Sequence, residues 1–177
     1  MELRRMPKTI EADAQTWNRL VANGVWRLQV YAELCSKTFE NRNLCNNAIT
    51  TPTDKRLTKH IKKVMKNILE ILRNIQQRTD YMWKRVRLYN DDEDLKHLCI
   101  SRELTTSKLH DFLQFLTLRY DYEWEVKEMV VLELELVSND NDVDILLKAW
   151  RDNRHAGGAE FDAKLKEFYK STNITAT

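Results

Sequence analysis

Apolar side chains recur in this chain at alternating steps of four and three over three separate stretches, and that rhythm admits few folds. Seven residues make two helical turns, so side chains spaced this way form one stripe along a helix, and the stripe has to be covered by another helix. In the first stretch Ile10, Ala14, Trp17, Val21, Leu28, Tyr31 and Cys35 keep the step, with Gly24 in the remaining seam position. Glycine weakens a helix by about 1 kcal/mol relative to alanine, so its place on a seam signals a close neighbour or a bend. Leu57, Ile61, Val64, Ile68, Ile71, Ile75 and Met82 repeat the rhythm in the second stretch. The third carries Leu109, Phe112, Leu113, Leu116, Tyr120, Trp124, Val130, Leu134 and Val137. Residues 129–137 also alternate as a strand would, but their continuity with the helical pattern decides for helix.

These stripes predict helices over about 10–40, 54–89 and 108–137, followed by short ones over about 143–152 and 159–170. Thr9 is placed to cap the first, Thr53 or Asp54 the second and Asp142 the fourth, because their side-chain oxygens can accept from free backbone N–H groups. Residues 41–53, rich in Asn and Thr, read as a connecting loop, and the acidic, aperiodic 90–107 as a mobile one. A turn at 138–142, a break at Gly157 and Gly158 and a frayed tail over 171–177 complete the plan. Only three Gly and two Pro stand in 177 residues, of which 32% are charged, so tight hairpins have little material and solvated helix faces have much. The expected fold is therefore all-α: one domain over 1–177, an elongated antiparallel helical bundle or coiled coil of three long helices with short C-terminal ones.

Chemistry is harder to find. No Gly-rich phosphate loop can be drawn, and the Glu-x-x-His pair that a di-metal bundle needs is absent. His97 and Cys99 supply two zinc ligands at most, with His60, His110 and His155 scattered elsewhere. Cys35, Cys45 and Cys99 form no framework, which points to a reducing compartment, and nothing supports a Cys–His nucleophile. The N-terminus lacks the apolar run of a signal peptide, and no stretch of roughly 18 apolar residues could span a bilayer. The chain is expected to be nuclear or cytoplasmic, which makes the Asn173 sequon accidental, and to have no catalytic residue, metal or cofactor.

The net charge of +2 hides a segregation. The second stretch carries Lys55, Arg56, Lys59, Lys62, Lys63, Lys66, Lys84, Arg85 and Arg87 among its cations, and residues 121–144 are acidic apart from Lys127. Either the two helices neutralise each other, which is the favoured reading, or the basic one is free to meet nucleic acid or an acidic protein. Cations crowd the positive end of the second helix dipole at a few tenths of a kcal/mol each, which keeps the second reading open. Of the tryptophans, Trp17 and Trp124 fall on seams, while Trp26 and Trp83 fall off theirs and are expected to meet loops or a partner.

Leu116, Tyr120, Glu123, Lys127, Val130, Glu133 and Leu134, followed by an acidic turn with Asp140 and Asp142 and a short helix ending in Trp150, resemble the cyclin-dependent kinase 2-interacting protein family. A weaker likeness lies in Trp17 and Leu20, similar to the Trp-x-x-Leu motif that opens the family's first long helix. The match covers about a third of the chain and departs from the family at Asn141, where a proline is usual, and in a shorter N-terminal extension. The resemblance implies a nuclear, non-enzymatic adaptor linked to DNA replication, the DNA-damage checkpoint and the cell cycle. It also implies a small subunit of an AAA-type ATPase assembly that remodels replication and pre-ribosomal complexes, paired with a second small helical protein and, by the family's name, touching a cyclin-dependent kinase. A sister family of small helical subunits shares the same aromatic-to-tryptophan pattern. On this reading Trp17, Leu20, Leu116, Tyr120, Glu123, Lys127 and Trp150 are the partner-binding residues.

Overall fold

The computed structural model describes residues 3–44, 52–101 and 103–172. After a single 3-10 turn at Leu3–Arg5, the described residues form α1 (Met6–Leu44), α2 (Pro52–Asn90), α3 (Thr106–Glu133), α4 (Asp140–Asp152) and α5 (Gly158–Thr172). The described residues contain no strand beyond one isolated bridge between Cys99 and Thr105, so the fold is all-α. Cys45, the Asn173 sequon, most of the expected first loop and the tail beyond Thr172 lie outside the described residues.

Two helix starts differ from expectation. Thr9 lies inside α1, where its hydroxyl donates back to the Arg5 carbonyl at 3.4 Å, so it does not cap the helix. Pro52 opens α2, and proline suits a first turn because the N–H it lacks would have no helical partner there. The 90–107 segment is folded upon itself. Asp92 Oδ1 accepts from the backbone of Asp94 and Leu95, Ile100 N–H donates to the Leu104 carbonyl at 2.8 Å, and Ile100 and Leu104 are buried.

The chain forms two compact units. One comprises the described parts of Met1–Trp17, Arg73–Glu123 and Arg154–Thr177. Its interior is aromatic: Trp17 stacks on Tyr120 with ring centroids 4.3 Å apart, Phe112 lies flat on Phe168 at 4.0 Å, and Phe161 reaches Tyr120 at 6.0 Å. Arg78 of α2 grips buried Asp13 of α1 through two hydrogen bonds of 2.6 and 2.8 Å. Gln76 donates to Asp121 and Trp83 to His110, and the order of these pairs sets α2 and α3 antiparallel in this unit.

The second unit comprises Asn18–Leu72 and Trp124–Asn153. There Lys62 meets Glu135 and Trp124 meets the Leu69 carbonyl, again an antiparallel order. Tyr31 donates to the Leu134 carbonyl at 3.0 Å, and burial, with Cys35 and Glu135 adding to it, pushes its hydroxyl pKa well above the ordinary range. The α3 helix stops at Glu133, short of the expected 137, and residues 134–136 form a turn that leads into α4. Asn139, and not Asp142, caps α4. Its side chain accepts from the Asp142 N–H, and Asp142 answers at the Asn139 N–H, a reciprocal box that satisfies two free donors. Bonds from Ser138 and Asn139 hold the Asp142 carboxyl below its usual range. The helix ends at Asn153 in the left-handed conformation, before the glycines are reached.

The seams differ from expectation in an informative way. On α1 the expected residues are buried from Ile10 to Tyr31, with Cys35 half-buried. On α2 the buried stripe is Ile61, Met65, Ile68, Leu72, Ile75, Thr79, Met82 and Val86, an unbroken four-three alternation. Val64, Ile71 and Leu57 stand beside it, half-buried or exposed. A sequence holding several β-branched residues side by side offers two phases, and the stripe that includes Thr79 was the less conspicuous one. Thr79 is tolerated because its hydroxyl bonds to the Ile75 carbonyl at 2.9 Å.

Gly24 behaves as its seam position suggests. A Cβ there would overlap the indole of Trp150, which crosses α1 at that point and donates its Nε1 hydrogen to the Val21 carbonyl at 3.0 Å. In an open helix Gly→Ala stabilises by up to about 1 kcal/mol. Here the overlap opposes that gain, and Gly24→Ala is expected to lower stability by about 1–3 kcal/mol in chemical denaturation. A stabilised Gly24→Ala protein would contradict the packing of Trp150 against α1.

Candidate binding groove

The residues that carry the family likeness are mostly interior. Trp17, Leu116, Tyr120, Glu123, Lys127 and Trp150 are all buried, and Leu20 is half-buried. Their work is to hold the helices. On α3 the buried stripe runs Leu109, Leu113, Leu116, Tyr120, Glu123, Lys127 and Val130, with Leu134 continuing it in the turn that follows, so two opposite charges occupy consecutive seam positions. Trp124, expected on the seam, sits half-buried at its flank, its indole directed at the Leu69 carbonyl at 3.4 Å. A count of apolar residues favours the large tryptophan over two charged neighbours, which is why the sequence pattern misplaced it.

Each buried charge has a distinct employment. In the first unit, Glu123 (1% exposed) accepts at Oε2 from the His155 N–H at 2.7 Å and the Ala156 N–H at 3.4 Å, backbone donors of the turn before α5. In the second unit, Lys127 (0% exposed) donates to the Trp150 carbonyl at 2.5 Å, and its ammonium lies 5.3 Å from the Trp150 ring. That carbonyl belongs to the last turn of α4, where no helical N–H follows and a cation is favoured. Burial, with Tyr169 and Asp13 adding to it, raises the Tyr120 hydroxyl far above its usual range, so it stays neutral beside them.

The surface feature of note is a groove of about 750 Å³ in the second unit. One wall is the late part of α1, with Leu34, Cys35, Thr38 and Phe39. The other is the early part of α2, with Lys55, Thr58, Lys59, Lys62, Lys63 and Lys66, and Glu135 and Val137 close it. Five of the six cations expected to form the patch at this end of α2 thus line one concavity, and Arg56 is exposed beside them. Lys62 bonds Glu135 at 2.9 Å and Lys66 stands 3.5 Å from the same carboxylate. The Lys62 hydrogen bond and charge hold the Glu135 carboxyl below its usual range. Burial raises the Cys35 thiol against the opposing pull of Tyr31 and Lys62.

Neutralisation of α2 by the acidic stretch is therefore seen at Glu135, while Lys55, Arg56, Lys59 and Lys63 make no ion pair among the described residues. At the other end of α2, Lys84 pairs with Asp80 and Arg87 with Asp91, each within its own chain neighbourhood, and Arg85 meets the Tyr81 hydroxyl. The groove walls contributed by α1 and by Glu135 and Val137 were not part of the expected patch. Only packing brings them to α2. No cluster of metal-ligating side chains occurs among the described residues, and none of their helices is long and apolar enough to cross a membrane. His97 and Cys99 are both exposed in the folded 91–105 segment.

Comparison with family models, with curated proteins and with solved structures finds no match.

Replacing Lys127 with alanine should cost about 3 kcal/mol or more, because it strands a buried carbonyl and opens a cavity. Methionine, which fills the space, should recover a good part of that loss. Thermal melts of the three proteins check this; equal melting points would mean that Lys127 is not a buried strut.

Proposed function

We propose that the chain is a non-enzymatic adaptor that holds partner proteins through helix surfaces. One observation carries this reading. Opposite the buried seam, the part of α3 in the second unit bears a further apolar pair, Met129 and Leu132, both exposed and in two phases of the same heptad. Met129 is 48% and Leu132 63% exposed, and Leu136, 71% exposed, follows in the turn after the helix. Single exposed apolar residues are ordinary, but a repeating row of them is what a partner helix would cover.

The likeness to the cyclin-dependent kinase 2-interacting protein family extends the proposal. It supports a nuclear setting and service as a small subunit beside a second small helical protein and an AAA-type ATPase, in replication, checkpoint or pre-ribosome remodelling, with a cyclin-dependent kinase as a further contact. Most residues of that likeness are buried here, so they shape the helices while the outer row meets the partner. A second reading, nucleic-acid binding through the basic second helix, is favoured by the four cations that make no ion pair among the described residues, and its mark would be affinity that falls steeply with salt.

The test is co-purification of the tagged full chain from cells, with and without Met129→Glu and Leu132→Glu together. The double variant is expected to keep its helicity and melting point, since both side chains are exposed, and to lose the stoichiometric partners of the wild type by about ten-fold or more. Retention of the same partners at full yield would overturn the role of the outer row.

A further inference from the structure

We infer that the lysine groove takes an acidic amphipathic helix of a partner protein. Lys55, Lys59, Lys62, Lys63 and Lys66 follow one another at helical spacing over three turns of α2, a cationic rail of about 16 Å. Two of the five are held by Glu135, and the other three make no ion pair among the described residues. Lys55 stands in the first turn of α2, where the helix dipole adds positive potential and an anion relieves the crowding.

The opposite wall is mostly apolar. Leu34 and Phe39 on α1 and Val137 beyond α3 supply apolar surface beside the cations. A phosphate backbone has no use for such a wall. Nucleic-acid surfaces also draw on guanidinium groups, whereas no arginine is among the described lining residues. Carboxylates on one side of a helix and aliphatic side chains on the next match both walls at once.

The chain itself shows the pattern on a small scale. Just after α3, Glu135 places its carboxylate between Lys62 and Lys66, and two residues on Val137 lines the same groove. An incoming helix would repeat that carboxylate-and-aliphatic arrangement along Lys55, Lys59 and Lys63. This surface adds to the adaptor reading and does not depend on the outer row of α3.

Fluorescence anisotropy on the full chain at physiological salt tests it. The probes are a labelled peptide of about 16 residues with Glu on one helical face and Leu on the adjoining one, a shuffled isomer of equal charge, and single-stranded and duplex DNA of similar length. The phased peptide is expected to bind at least about ten-fold more tightly than its isomer and than either DNA. Lys59→Glu with Lys63→Glu should weaken it by about ten-fold or more, and the milder Lys59→Gln with Lys63→Gln should weaken it less, both with unchanged circular dichroism. Met129→Glu with Leu132→Glu should leave it unchanged. Equal binding of the isomer, tighter binding of either DNA, or no binding of the phased peptide would each overturn the inference. In those cases the co-purification result still decides the adaptor reading on its own.

Discussion

Two buried charges on α3 constrain this structure more than any apolar contact does. Glu123 and Lys127 occupy consecutive positions of a stripe that is otherwise oily. A charge taken out of water costs several kcal/mol unless its hydrogen-bonding capacity is met, so these side chains tolerate few arrangements of their surroundings. Each has backbone partners: Glu123 two N–H groups ahead of α5, Lys127 a carbonyl in the last turn of α4. A leucine at either site would bind its neighbours equally well in several registers. The charges accept one, and so specify where the ends of two short helices attach.

The rest of the interior follows from that attachment. With the end of α4 held by Lys127, the indole of Trp150 is directed across α1, and only a residue without a side chain can stand where it crosses. Gly24 thus concedes helix propensity so that the Trp150 indole can reach the Val21 carbonyl. In the other unit the Glu123 bonds bring the start of α5 in, and Phe161 and Phe168 reach the aromatic rings of Tyr120 and Phe112. Aromatic contacts of this kind add about 0.5–1.5 kcal/mol each beyond the area that they bury.

Helix content and the approximate helix spans were legible because period and composition agreed. The α1 seam was legible residue by residue, including Gly24, since a gap in an apolar stripe has few meanings. What escaped was the choice between neighbouring phases. On α2, Val64 and Ile71 outranked Met65 and Leu72 by apolar character alone, although a polar Thr79 belonged to the true stripe. On α3, Trp124 displaced Glu123 and Lys127 for the same reason: a pattern search rewards oil and rejects charge, while a folded seam accepts charge that finds backbone partners. The lysine cluster was visible as charge. Its becoming one wall of a groove was not, because Leu34 and Phe39 lie far from it in sequence and nothing local announces the pairing.

Trp150 is locked against α1 by its indole bond to the Val21 carbonyl, with Lys127 holding the Trp150 carbonyl. Hydrogen exchange of the indole N–H groups, followed by NMR, reads this directly, with exposed Trp26 as the internal reference. The Trp150 indole is expected to exchange orders of magnitude more slowly than that of Trp26, approaching the rate set by unfolding of its unit. Equal exchange at the two indoles would contradict it.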